Sequence, residues 1–114
     1  MQEILKLLDE SKIIKSYQIL SFEQEGSNYF FKCKISLIND TFLSVLESYR
    51  DNRINYSYHW HDYNNKLIIR WDNSPHHKKL ETFPHHIHKP ELQSSSAISL
   101  EEVLKLIEEN LKTK

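Results

Sequence analysis

The sequence predicts an α+β domain in which an antiparallel five-stranded meander sheet is flanked by an N-terminal and a C-terminal helix on one face. Three observations predict it. Apolar residues recur at helical spacing only near the two ends of the chain. Five stretches between them alternate, or are rich in β-branched and aromatic residues, and short turn signals separate those stretches. A chain of 114 residues makes one domain, residues 1–114, able to bury roughly two-thirds of its unfolded surface.

Ile4, Leu5 and Leu8 alternate with Glu3, Lys6, Asp9 and Glu10 at helical spacing, which predicts a short amphipathic helix over residues 2–11. From Ile13 the pattern turns to β-branched and aromatic residues. Residues 12–23 and 28–38 then form a hairpin across the polar EQEGSN turn, which holds Gly26. Asn39-Asp40 starts a tight turn into a third strand over residues 41–50, whose weak alternation leaves its register ambiguous. The fourth strand, residues 54–62, alternates cleanly. Ile54, Tyr56, Tyr58 and Trp60 go to one face, and Asn55, Ser57, His59 and His61 to the other.

Asn64-Asn65 is the next turn, and residues 66–72 form the fifth strand, with Leu67, Ile69 and Trp71 alternating against Ile68, Arg70 and Asp72. A turn centred on the two asparagines sets His59 opposite Arg70, Ser57 opposite Asp72 and Tyr58 opposite Trp71. A slip of one residue would push Arg70 and Asp72 into the aromatic face, so this register is the expected one. Residues 73–90 carry prolines at 75, 84 and 90 with no sustained period, which predicts an irregular surface loop, and Ser94, Ser95 and Ser96 form a short linker. Ser99 with Glu102 is a capping box ahead of the stripe Leu100, Val103, Leu104, Ile107 and Leu111, so the last helix spans residues 99–112. The helices cover the aromatic face and leave the histidine face open.

Composition narrows the function classes. Hydrophobic residues make up 39% and charged residues 27%, the profile of a soluble globular protein. A single glycine excludes Gly-rich phosphate loops. A single cysteine, Cys33, excludes an internal disulfide and a cysteine-based zinc framework, which fits a reducing cytoplasm; its alternation with Phe31 and Ile35 makes it a core residue. The N-terminus breaks its apolar residues with charges, unlike a signal peptide, and no stretch nears the roughly 20 apolar residues of a membrane span.

The chemistry is concentrated between Arg53 and Pro90, which hold all seven histidines, His59, His61, His76, His77, His85, His86 and His88. Protonating all seven moves the net charge from −1 to +6. Imidazole is the side chain that exchanges a proton near neutral pH, so the crowding points to acid-base work. Cleaving RNA without a metal takes a base for the 2′-hydroxyl proton, an acid for the leaving 5′-oxygen and a cation for the phosphoryl group. His59, His61, Arg70 and the loop histidines His76, His77, His85, His86 and His88 supply those groups, with Asp72 to orient an imidazole. Ser57, Asn73, Lys78, Lys79 and Lys89 are the expected substrate contacts. The plainer alternative is that His59 and His61 are solvated residues on the polar side of a strand.

A metal site is the alternative chemistry. His59 and His61 project from one strand face, and His85, His86 and His88 could complete a set for zinc or another divalent transition metal. Against it, structural zinc sites usually include cysteine. The expected cofactor is therefore none. The aromatic quartet Tyr56, Tyr58, Trp60 and Trp71 could stack nucleic-acid bases, yet core packing under the helices, at about 1.5–3 kcal/mol per buried side chain, is the simpler role.

The blocks YSYHWHD, LIIRWDNSPHH and TFPHHIH, followed by a short linker and a capped helix, resemble the TumE family of toxins from prokaryotic type II toxin-antitoxin systems. Arg70, Trp71, Asp72, Asn73, Pro75, His76, His77, Thr82, Phe83, Pro84, His85, His86 and His88 carry the likeness, which is close over residues 56–88 and shows no departure from the motif. The resemblance implies a small cytoplasmic protein that arrests growth, is neutralised by a cognate antitoxin and acts on RNA as an endoribonuclease. It leaves a homodimer open. The rival from another class is a non-catalytic module whose histidine-rich loop binds nucleic acid or metal.

Overall fold

The alternation that separates apolar from polar residues along each strand becomes, in the folded chain, the two faces of one sheet. The computed structural model describes residues 2–73 and 98–112, together with the backbone of residues 86–88 and 92–94. Helix α1 (Gln2–Glu10) leads into strands β1 (Ile14–Glu25), β2 (Asn28–Leu37), β3 (Phe42–Arg50), β4 (Arg53–His61) and β5 (Leu67–Asp72), and helix α2 (Leu100–Lys112) closes the chain. Each strand pairs antiparallel with the next. This is the expected five-stranded meander between two helices.

Two short strands extend it beyond β5: β6 (His86–His88) pairs with β5, and β7 (Leu92–Ser94) pairs with β6. The segment expected to be irregular thus holds strand backbone at residues 86–88, and Ser94, expected in the linker, ends β7. An open edge of β5 would leave its backbone donors and acceptors to water, and β6 pairs the half of that edge formed by Arg70, Trp71 and Asp72. A run that short carries too little periodicity to be read from sequence.

The turns follow from residues that tolerate a left-handed backbone. Asp51 and Asn52 have φ of 54° and 64°, the pair of positive values that a two-residue hairpin turn matching strand twist requires. Asp40, Asn65 and Gly26 take single positive values at the other reversals. At the start of α2, Glu102 N donates to Ser99 Oγ at 3.2 Å while Ser99 N donates to Glu102 Oε1 at 3.2 Å, the capping box in full.

One core lies between the helices and the sheet. Leu8 of α1 and Leu100, Val103, Leu104 and Ile107 of α2 are buried with Phe31, Cys33, Ile35, Leu37, Leu43 and Val45 and with the aromatic quartet. Tyr56, Tyr58, Trp60 and Trp71 are all at most 4% exposed, so they are core residues rather than a base-stacking platform. Two of them have their polar ends bonded to side chains: Tyr58 OH donates to Glu47 Oε1 at 2.5 Å and Trp60 Nε1 donates to Thr41 Oγ1 at 2.9 Å. Among the described residues no helix is long and apolar enough to cross a membrane.

Candidate functional site

The face of the sheet away from the helices gathers its polar residues by register. His59 of β4 pairs with Ser44 of β3 on one side and with Arg70 of β5 on the other, and Ser44 in turn pairs with Lys34 of β2. One row therefore reads Lys34, Ser44, His59, Arg70 across four strands, since directly paired residues share a face. Ser57 sits opposite Asp72 and Tyr58 opposite Trp71, as the turn at Asn64-Asn65 predicts. The β6 backbone continues the pairing beyond β5, with His88 opposite Arg70 and His86 opposite Asp72.

A bulge between Trp60 and His61 shifts the β4–β5 register by one residue, the kind of irregularity that re-aims a side chain. His61 lies with its ring centroid 5.0 Å from that of His59 and stacks on Phe42 at 5.7 Å. Lys34 Nζ is 5.2 Å from the centre of the same Phe42 ring. His61 is 5% exposed and both of its nitrogens are engaged. Nδ1 is 2.9 Å from the Asp62 carbonyl oxygen, and Nε2 is 3.2 Å from Ser44 Oγ. A carbonyl only accepts, so the proton of the neutral ring is on Nδ1, and Nε2 accepts from the Ser44 hydroxyl.

On β5, Arg70 Nε is 3.0 Å from Asp72 Oδ2. The two atoms are not aligned as a hydrogen bond, so the contact is an ion pair held by proximity. It is made through Nε, and a guanidinium carries two further amino groups able to meet an anion. The histidine face is less open than its sequence implies: Asp72 and His61 are buried, while His59, Ser57 and Arg70 are partly exposed.

Asn73, expected among the substrate contacts, is buried and clamps the end of the β4–β5 pair. Its Oδ1 accepts from Tyr56 N at 2.8 Å and its Nδ2 donates to Ile54 O at 2.7 Å. Continuing the ladder one residue past β5 has absorbed both ends of the amide.

His76, His77, Lys78, Lys79, His85 and Lys89 lie outside the described residues, as do the side chains of His86 and His88. Among the described residues no three His, Cys, Asp or Glu side chains converge as metal ligands; the alternative metal set drew His85, His86 and His88 from outside them. Sequence reasoning missed Lys34, Phe42 and Ser44. The alternation of Lys32 and Lys34 against Phe31, Cys33 and Ile35 was legible, but the register of β3 that brings Ser44 to His61 was not.

An antiparallel sheet backed by two helices, with imidazoles, a guanidinium and a carboxylate on its far face, defines the class as a small α+β protein with a polar, histidine-bearing sheet face. The model of the family described as Toxin TumE matches residues 4–111. The chain belongs to the TumE toxin family, the toxin partners of toxin-antitoxin systems, and membership implies a cognate antitoxin. No curated protein and no solved structure matches it.

Proposed function

We propose that this toxin is a metal-independent endoribonuclease working by histidine and arginine acid-base chemistry. The observation that supports this most is the single face shared by His59, His61, Arg70 and Asp72, with Lys34 beside them. Attack of a ribose 2′-hydroxyl on the adjacent phosphorus needs a proton acceptor, a proton donor and a cation at the phosphoryl oxygens. Two imidazoles 5.0 Å apart and a partly exposed guanidinium are suited to those tasks. The protein then acts in the cytoplasm, where RNA and antitoxin are both present.

The experiment is cleavage of a mixed RNA by purified protein from pH 5 to 8, with and without a chelator. Cutting in chelator that leaves 2′,3′-cyclic phosphate ends, and that is lost in His59→Ala and Arg70→Ala, is the expected outcome. No cutting under any of these conditions overturns the enzyme.

A second function has its own supporting observation. His59 and His61 lie side by side, and the β6 backbone brings His86 and His88 to register positions across from β5. A non-catalytic module binding nucleic acid, or a zinc-class ion, would use the same residues. Retained RNA binding with no cleavage, or activity abolished by chelation and restored by zinc, selects it.

A further inference from the structure

Ser44 and His61 meet the geometric test for a hydroxyl paired with a base: their polar atoms lie 3.2 Å apart, and the base is oriented by a third group, the Asp62 carbonyl at 2.9 Å from Nδ1. Two features make the pair more than a satisfied core contact. The imidazole is 5% exposed whereas Ser44 is partly exposed, so the serine is the member of the pair that solvent reaches more readily. The bulge at Trp60/His61 sets the ring toward β3 instead of continuing the β4–β5 register.

Building on the ribonuclease function above, we propose that Ser44 and His61 form a proton relay, in which Ser44 Oγ meets the substrate's 2′-hydroxyl and His61 Nε2 receives the proton through it. The 2′-hydroxyl proton passes to Ser44 Oγ as the serine's own proton passes to Nε2. The 2′-oxygen forms its bond to phosphorus, the bond from phosphorus to the 5′-oxygen breaks, and that oxygen takes a proton from the acid of the site, for which His59 is the neighbouring imidazole among the described residues. His61 ends with a proton on each nitrogen, its Nδ1–H still held by the Asp62 carbonyl, and returns the extra proton by the same path. Among the described residues, the charged and titratable groups around it are Asp62 next in the chain, His59 on its own strand, Lys34 across Phe42, and Arg70 paired with Asp72 on β5.

The test compares single-turnover cleavage by wild type, Ser44→Ala and Ser44→Thr, with RNA affinity measured alongside, and reads the His61 ring by 15N NMR in the wild-type protein. Expected are a loss of about 100-fold or more in Ser44→Ala, a rate within about tenfold of wild type in Ser44→Thr, unchanged RNA affinity, and a neutral His61 protonated at Nδ1. Ser44→Ala cutting within about threefold of wild type, well inside the general acid-base range, removes the relay and leaves the nuclease standing. A wild-type protein that cuts no RNA removes both. Should Ser44→Ala fail to fold, the NMR arm still decides: a neutral ring protonated at Nε2 reverses the hydrogen bond and ends the relay.

Discussion

Arg70 and Asp72, two positions apart on β5 and hence on one face, approach to 3.0 Å between Nε and Oδ2, with the carboxylate side chain 2% exposed and the guanidinium side chain 43% exposed. Removing the cation takes an opposite charge away from a buried carboxylate, and water reaches the vacated side, so the cost falls below that of a fully buried pair. Arg70→Ala is expected to lower unfolding free energy by about 1–3 kcal/mol and to abolish RNA cleavage. Arg70→Lys keeps the charge without the fork, so it is expected to recover stability and not turnover. Urea titrations paired with cleavage rates check this, and full turnover in the lysine variant would show that a point charge is enough.

Asn73 separates a structural role from a substrate contact. Its side-chain amide bonds the backbone of Tyr56 and Ile54 at 2.8 and 2.7 Å. Asn73→Ala is expected to cost about 1–3 kcal/mol in urea unfolding, because two buried backbone groups lose their partners. Cleavage per folded molecule should stay near wild type. A raised KM for RNA at unchanged stability would instead make Asn73 a substrate contact.

How much of this was legible differs strand by strand. The β4–β5 hairpin was readable because two asparagines fixed the turn and one register alone kept Arg70 and Asp72 away from Trp71. Ser99 and Glu102 announced α2 by local chemistry. The Ser44–His61 contact was not readable, since it needs the β3–β4 register, where β3 alternates weakly, together with a bulge that no residue type signals. Cys33 was assigned to the core from alternation alone and is 1% exposed.

The capping box offers a test confined to stability. Ser99 Oγ accepts from Glu102 N while Glu102 Oε1 accepts from Ser99 N, satisfying two backbone donors at the start of α2. Ser99→Ala is expected to lower stability by about 1 kcal/mol and Ser99→Asp to preserve most of it. The site is on the opposite face of the sheet, so cleavage should not change. Thermal melts of both variants decide the matter, and equal melting of Ser99→Ala and wild type would make the cap dispensable.

The core predicts a loss of stability in alkali. Burial pushes the Cys33 thiol up from 9.0 to about 11. Burial, with the Glu47 carboxylate adding to it, also raises the phenols of Tyr29 and Tyr58 above 10.0. Tyr29 OH and Tyr58 OH donate to the two oxygens of Glu47 at 2.9 and 2.5 Å. In each case the folded state holds its proton more tightly than the unfolded state. Above the unfolded values the unfolded chain therefore binds fewer protons, and unfolding free energy falls as pH rises. The stabilisation is complete below pH 9, where all three groups are protonated in both states. It declines from pH 9 to 11 through Cys33, and from pH 10 upward through the tyrosines as well. Urea unfolding at steps from pH 8 to 11 measures this slope. Cys33→Ala should flatten its lower part, and Tyr58→Phe the part above pH 10 at the cost of some stability near neutrality, where Glu47 loses a donor. A wild-type profile that stays level from pH 8 to 11 would mean that water reaches these groups in the folded protein.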